Sequence, residues 1–447
     1  MESLLHVAME GGRIKKKAGL KQGSSSGVPD LKQNDVQAQP GELQIVEPAW
    51  RRITPTDEMP ISTLSISSSF PSVCQSRSQS PTMIFEPAMT SENPTPIWKG
   101  SLVRDVFAHR EFRELPSKSI ALALIEEAFR SFNSSFPIFD QTSFIGFVHE
   151  RYSSSGPDDP GWWACINVVF ALAHRFRAMR TLDTPKENGE ACGYMQNALA
   201  VVSELTMLHN SLPAVQALLG MTIVLQGTPN PRLCSVLIAA AMRLAQTMGL
   251  HRKNLNPSLT ETEIEQRKRV FWIAYFLDKD MSLRTRQPPA QDDDDMDIEL
   301  PSHTISDMPL NGNGTSTVNF FNCRIGLAII QGQVYKRLYS AKALRQPEGE
   351  QLLAAQELNS CLAAWRNSVP IDFEEDRLTT LQAPIAPDLL HKIILRFTYV
   401  NCLITIHRPF HNTDRATAAF DNHCVNEARK AVNLIYITPQ GDYACAW

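Results

Sequence analysis

Apolar residues recur at helical spacing from about residue 117 onward and follow no regular spacing before it. Ile120 to Phe132 carries apolar side chains at 120, 121, 123, 124, 128 and 132, one face of a helix. Trp162 to Met179 repeats the pattern through Trp162, Ile166, Val169, Phe170, Ala173 and Phe176. Leu233 to Met248 shows it most strongly, with Leu233, Leu237, Ala240, Ala241, Leu244 and Met248. Gly249 then supplies a stop, because glycine reaches the left-handed conformation cheaply. Leu212 to Leu225 and Ile393 to Ile406 are the most apolar stretches. Gln216, Thr222, Arg396 and Asn401 interrupt them, which predicts buried helices rather than membrane spans.

Another helix is predicted to start at Ser258-Leu-Thr-Glu261 or at Thr260-Glu-Thr-Glu263. Both fit a capping box, in which a hydroxyl and a carboxylate satisfy orphan backbone donors. Its apolar face runs Val270, Ile273, Ala274, Leu277 and Met281, with Phe271, Trp272 and Tyr275 beside it. Trp272 and Tyr275 read as structural aromatics. Glu265 and Arg269 form an i, i+4 pair expected on the exposed side, and Pro288-Pro289 ends the helix. Further helices are predicted at Phe320 to Leu344, Glu350 to Val369, Pro387 to His407 and Arg415 to Ile435. Strand alternation is nearly absent. The fold class is therefore all-α, a large multi-helix array over 115–447 preceded by a disordered region over 1–114.

The first hundred residues differ in composition. Nine serines fall between Ile61 and Ser80, and prolines recur throughout. Such a segment buries too little apolar surface to offset chain entropy. Arg13, Lys15, Lys16, Lys17 and Lys21 cluster within it, as in a nuclear-import signal; a solvated charge run is the plainer reading.

A net charge of -4 argues against a chain whose main business is coating nucleic acid or an anionic membrane. Nine scattered cysteines with no C-x-x-C pair suggest reduced thiols inside the cell rather than a disulfide framework or a zinc module. The start, MESLLHVAMEGG, does not read as a secretory signal.

Four short patterns invite a chemical reading. Gly23-Ser-Ser-Ser-Gly27 matches G-x-S-x-G but lies in a Ser/Gly-rich stretch, where a nucleophile elbow has no strand or helix to sit on. His407 and His411 are spaced like two metal ligands on a helix, yet Pro409 breaks the helix between them. His174, Arg175, Arg177 and Arg180 read as an exposed basic helical face. The run Asp292, Asp293, Asp294, Asp295 and Asp297 is the sharpest of the four. Asp293-Asp294-x-x-Asp297 matches the D-D-x-x-D signature of all-α terpene cyclases and prenyltransferases, whose carboxylates hold magnesium against a diphosphate. A loop position between Pro289 and Pro301, and no second metal motif downstream, favour a solvated acidic loop instead.

The segment from 233 to 301 resembles the fungal-specific transcription factor domain, the middle homology region of the zinc binuclear-cluster regulators. Ala241-Met-Arg-Leu-Ala-Gln-Thr-Met-Gly-Leu-His-Arg252 resembles its A-x-R-x-A-x-x-x-G-L-H-R segment. Arg267-Lys-Arg-Val-Phe-Trp272, Tyr275 and Leu277-Asp278 are similar to R-R-R-V-F-W-x-x-Y-x-L-D. Asp292 to Asp297 with Leu300-Pro301 resembles the D-x-D-I-x-x-P ending, which accounts for the acidic run without a metal. Phe136-Pro-Ile-Phe139 with Phe144, and His407-Arg-Pro-Phe410, resemble motifs near the domain's start and farther downstream. Three departures stand out. Arg286 occupies a position where members usually carry glycine, no six-cysteine module precedes the helices, and the chain stops at Trp447 where members usually continue. The last two suggest a chain lacking its DNA-binding module and its carboxy-terminal helices.

The resemblance implies a nuclear, pathway- or gene-cluster-specific transcriptional regulator that is not an enzyme and has no catalytic, cofactor-binding or metal residues. It implies no cofactor in this chain, with zinc only if a six-cysteine module exists outside it. Partners would be the transcription machinery or another regulator, in a homo- or heterodimer, with a small-molecule effector, only weak or indirect DNA contact and no membrane. The competing reading is a magnesium-dependent prenyl-diphosphate enzyme using Asp293, Asp294 and Asp297. It requires Asp293 and Asp297 to line a deep apolar cavity.

Overall fold

A computed structural model describes residues 113–133, 135–152, 159–178, 184–226, 231–253, 258–302, 307–309, 317–369, 387–410 and 423–431. The expected disordered segment and its basic cluster, the G-x-S-x-G match, Arg180 and His411 lie outside these residues, save for Arg113 and Glu114. The helices are α1 (Lys118–Ser131), α2 (Gln141–Arg151), α3 (Pro160–Ala178), α4 (Thr184–Leu199), α5 (Val202–Met207), α6 (Leu212–Leu225), α7 (Pro231–Thr247), α8 (Glu261–Thr285), α9 (Phe320–Val334), α10 (Glu348–Ser368) and α11 (Pro387–His407). A twelfth, α12, covers 423–431. The architecture is all-α apart from one antiparallel ribbon, Asp307–Pro309 on Thr317–Asn319, with Met308 opposite Val318. Three-residue strands carry too little alternation to be legible in a sequence.

Two cores form. The first is built on α3, α6 and the middle of α8, which are buried on nearly all sides because other helices surround them. Every residue of α6 from Ala214 to Leu225 is buried. Helix α7 covers this layer with one face only, Cys234, Leu237, Ile238, Ala241, Met242 and Ala245. The Phe136-Pro-Ile-Phe139 segment enters the same core, and the carbonyl of Ile138 accepts from Gln216 of α6 (2.6 Å) and from Gln266 of α8. The second core joins α9, α10 and α11 through Leu327, Leu362, Trp365, Leu395, Tyr399 and Leu403. Trp365 Nε1 donates to the carbonyl of Cys323 at 3.0 Å. Helices α8 and α9 contribute to both cores, Phe276 and Phe321 to the first and Leu283 and Leu327 to the second.

The local signals acted as expected at most ends. Of the two capping boxes, Thr260 with Glu263 forms: Glu263 N–H donates to Thr260 Oγ1, and Glu263 Oε2 accepts from Thr260 N–H at 2.8 Å. Gly249 has φ +71°. It turns the chain so that Leu250 N–H reaches back to the carbonyl of Ala245 and its own N–H to that of Gln246. Arg286 also sits in the left-handed region, at φ 57° and ψ 33°, closing α8.

Three expectations are corrected. The Glu265–Arg269 pair (3.5 Å) is enclosed rather than exposed, because a following segment folds over it. The helix expected over Phe320 to Leu344 loses α geometry at Val334 and continues as a π turn over Tyr335–Tyr339. The basic residues of α3 are not an exposed face. Arg175 is fully buried, and its guanidinium donates to Asn188 Oδ1 at 2.6 Å; His174 Nδ1 lies 2.7 Å from Glu187 Oε2, and Arg177 Nε donates to Glu127 Oε2 at 2.7 Å. These residues fasten α3 to α4 and α1, which their spacing on one helix does not disclose.

Candidate functional site

After Arg286 the chain reverses and runs back along α8 as a strap, residues 287–302. The residues of α8 that hold it are Asp278, Lys279, Tyr275, Trp272, Lys268 and Glu265, spaced so that they share one face. Starting at the carboxyl end, Ser282 Oγ donates to the carbonyl of Gln287 (2.6 Å). Asp278 accepts from the backbone N–H groups of Ala290 (2.9 Å) and Gln291 (3.1 Å). Lys279 Nζ donates to the carbonyl of Gln291 (2.5 Å) and pairs with Asp293 (2.9 Å). The Tyr275 hydroxyl donates to Asp293 Oδ1 (2.9 Å), and Trp272 Nε1 to the carbonyl of Glu299 (3.0 Å). Lys268 pairs with Glu299 (3.1 Å), and Glu265 accepts from Ser302 N–H (2.6 Å).

The strap also ties in its neighbours. From α7, Gln246 donates to Gln291 Oε1 at 2.9 Å. After the Gly249 turn, Asp297 N–H donates to the carbonyl of His251 (3.1 Å), and Asp297 Oδ1 accepts from Lys253 N–H (2.9 Å). From the segment following α9, Lys336 reaches Asp292 (3.1 Å) and Asp294 (2.7 Å). Gly332 of α9 leaves room for this approach: a Cβ there would lie 3.1 Å from Asp293 Oδ2 and 3.3 Å from the Lys279 stem.

Electrostatics follow from placement. Burial, then Asp293, raises the Tyr275 phenol well above its ordinary value, so it stays a donor. Burial also raises Asp278, against the two amides and Lys279 that favour its charge. Hydrogen bonds from Lys253 and Lys268 hold Glu299 below the usual carboxylate range. Burial alone would raise Asp292, but the amide of Asp294 and the ammonium of Lys336 outweigh it and hold it low.

Asp293 and Asp297 thus serve different neighbours. Asp293 is taken by a buried tyrosine and a buried lysine, Asp297 by the backbone amide of Lys253, while Asp294 and Asp295 form an exposed turn. The geometry that prenyl transfer requires is not the geometry these carboxylates have. Among the described residues no group of three or more His, Cys, Asp or Glu side chains could hold a metal ion. The buried thiols are unsuited to ligation: desolvation pushes Cys234 and Cys323 up to about 12 and Cys165 and Cys402 higher. His407 closes α11, with Nε2 3.3 Å from Asn359 Oδ1. No helix among the described residues is long and apolar enough to cross a membrane.

A second feature carries no sequence motif. Where the two cores meet, α8, α9 and α11 line a half-open cavity of about 220 Å³. Phe276, Asp280, Arg284, Arg324, Gln331 and Phe397 line it.

The fungal specific transcription factor domain matches residues 126–367, and the chain belongs to that family. An ABC-transporter-regulating transcription factor of Aspergillus oryzae is 43% identical over 384 residues, covering 80% of this chain and 43% of that protein. Its namesake in Aspergillus fumigatus matches to the same extent. The Fusaridione A cluster transcription factor of Fusarium heterosporum is 34% identical over 251 residues, 55% of this chain and 47% of the relative. The chain spans less than half the length of these relatives.

Proposed function

We propose that the chain is the regulatory part of a nuclear, pathway- or gene-cluster-specific transcriptional regulator, acting through protein contacts and not as an enzyme. The observation that carries this is the clasp. Trp272, Tyr275 and Asp278 of the family signature, with Asp293 of the acidic run, are spent on holding a strap to a helix, so we read the acidic run as structural. Relatives named for regulating transporters and for a biosynthetic gene cluster support the pathway-specific reading. In this reading residues 115–447 form the helical domain, and 1–114 are the Ser/Pro-rich segment that precedes it. The domain requires no cofactor, with zinc confined to any six-cysteine module outside it. The transcription machinery or another regulator, through homo- or heterodimers, is the partner, and DNA is touched only weakly.

The test is to fuse the full chain to a heterologous DNA-binding domain in a fungal reporter strain. A change in reporter output of several-fold, lost in Asp293→Ala, is expected. A fusion that is expressed and nuclear but leaves the reporter unchanged contradicts the reading.

A further inference from the structure

The cavity at the meeting of the two cores has an unusual charge arrangement. Arg324 projects from α9 between two aromatic rings, its guanidinium carbon 4.4 Å from the ring centre of Phe136 and 4.0 Å from that of Phe276. This double stack fixes the guanidinium in place. Its Nη1 is enclosed and has no hydrogen-bond partner, while the side chain as a whole is half-buried. Buried polar groups are ordinarily paired, so an enclosed N–H edge without an acceptor calls for a reason. The acid beside it is Asp280, which already accepts from Gln331 (3.1 Å) and faces Arg284 at 3.8 Å. Asp280 thus lies near both guanidiniums.

The remaining walls are mixed: Phe276, Leu277, Leu327, Ile394 and Phe397 give an apolar side, and Gln226, Thr398 and Asn401 a polar one. The volume of about 220 Å³ lies below the ~300–1,000 Å³ usual for drug-sized ligands. A ligand of one or two rings fits that space. Burial also lowers Arg324 to about 9, a sign of how poorly its charge is compensated.

We propose that this cavity binds a small aromatic monoanion, a carboxylate on a one- or two-ring body, with the carboxylate on Arg324 and the rings against Phe276 and Phe397. A neutral aromatic would leave the guanidinium without an acceptor, and inorganic phosphate would leave the apolar walls unfilled. Because the cavity joins the two cores, a ligand there would bias how α9 and α11 pack on α8. Binding itself rests on this geometry alone; its use as a regulatory input rests on the function proposed above.

Calorimetry on the full chain with 2-naphthoate, 2-naphthylmethanol and inorganic phosphate tests the proposal. The acid is expected to bind at least tenfold more tightly than the alcohol, with phosphate binding no better than the alcohol. Arg324→Met should erase the preference for the acid. Asp280→Asn, which removes the competing carboxylate and keeps the shape, should tighten the acid several-fold, and it serves as the deciding variant if Arg324→Met fails to fold. Equal binding of acid and alcohol, no binding of the acid, or an Asp280→Asn variant no tighter than the parent overturns the proposal. Failure of the reporter fusion with intact naphthoate binding would instead count against the transcriptional reading.

Discussion

The hydroxyl of Tyr275 and the carboxylate of Asp293 meet at 2.9 Å beneath the strap, eighteen positions apart in the chain. Lys279, one helical turn along α8, shares the same carboxylate at 2.9 Å and packs its ammonium 4.8 Å from the Tyr275 ring centre. The three side chains form one unit, so their substitutions should differ in a telling order. Tyr275→Phe removes one hydrogen bond to a charged group, worth about 1.5–3 kcal/mol. Asp293→Ala should cost more, ~3–5 kcal/mol, because it removes the ion-pair partner of the buried Lys279 ammonium and leaves it only the Gln291 carbonyl and the more distant Asp278. Urea unfolding of both variants checks the order; an Asp293→Ala variant milder than Tyr275→Phe contradicts the arrangement.

Trp272 is fully buried and its indole N–H is committed to Glu299. Trp272→Ala should destabilise the domain by roughly 3–5 kcal/mol, read from the same unfolding curves. A loss under about 1 kcal/mol would show that the strap and the core beneath it do not pack as described.

Arg286 holds a left-handed conformation that a side chain adopts at a cost. Arg286→Gly should therefore stabilise the domain by about 0.5–1 kcal/mol, less the flexibility glycine adds to the unfolded chain. A thermal melt in which Arg286→Gly lowers the midpoint would mean that the side chain contributes more than its strained backbone costs.

Acid should loosen the strap. Glu299 and Asp292 are held below their ordinary values in the fold, so their stabilisation is full above the unfolded pKa and is lost as pH falls through and below it. Asp278, raised by burial, works in the opposite sense. Melting temperature should fall as pH drops from about 5 towards 3, and Glu299→Gln should make that fall shallower. A variant with the parent's pH profile would remove Glu299 from the clasp.

Much of this fold was legible because it depends on local pattern. The face of α7, the Gly249 stop, the Thr260 capping box and the bounds of α11 follow from spacing and end chemistry. The destinations of polar side chains were not legible. Arg175 and the Glu265–Arg269 pair look like surface groups in a helical pattern and are buried by elements distant in sequence. Asp293 looked like a magnesium ligand by spacing, and only its pairing with Tyr275 and Lys279 shows its task. Arg324 carried no signal at all: its isolation depends on Phe136 and Phe276, brought to it by separate segments. Helices α2 and α5 are brief and α4 is polar, and such helices carry weak periodicity in the sequence.

The account stands most directly on the acidic run being a structural clasp. Urea unfolding of the parent chain, Asp293→Ala and Asp297→Ala, each with and without millimolar magnesium, measures this. The predicted result is a parent stability unmoved by magnesium and a loss in both variants that magnesium does not alter. Stabilisation of the parent by magnesium that either variant abolishes would contradict the account, for it would make the carboxylates metal ligands after all.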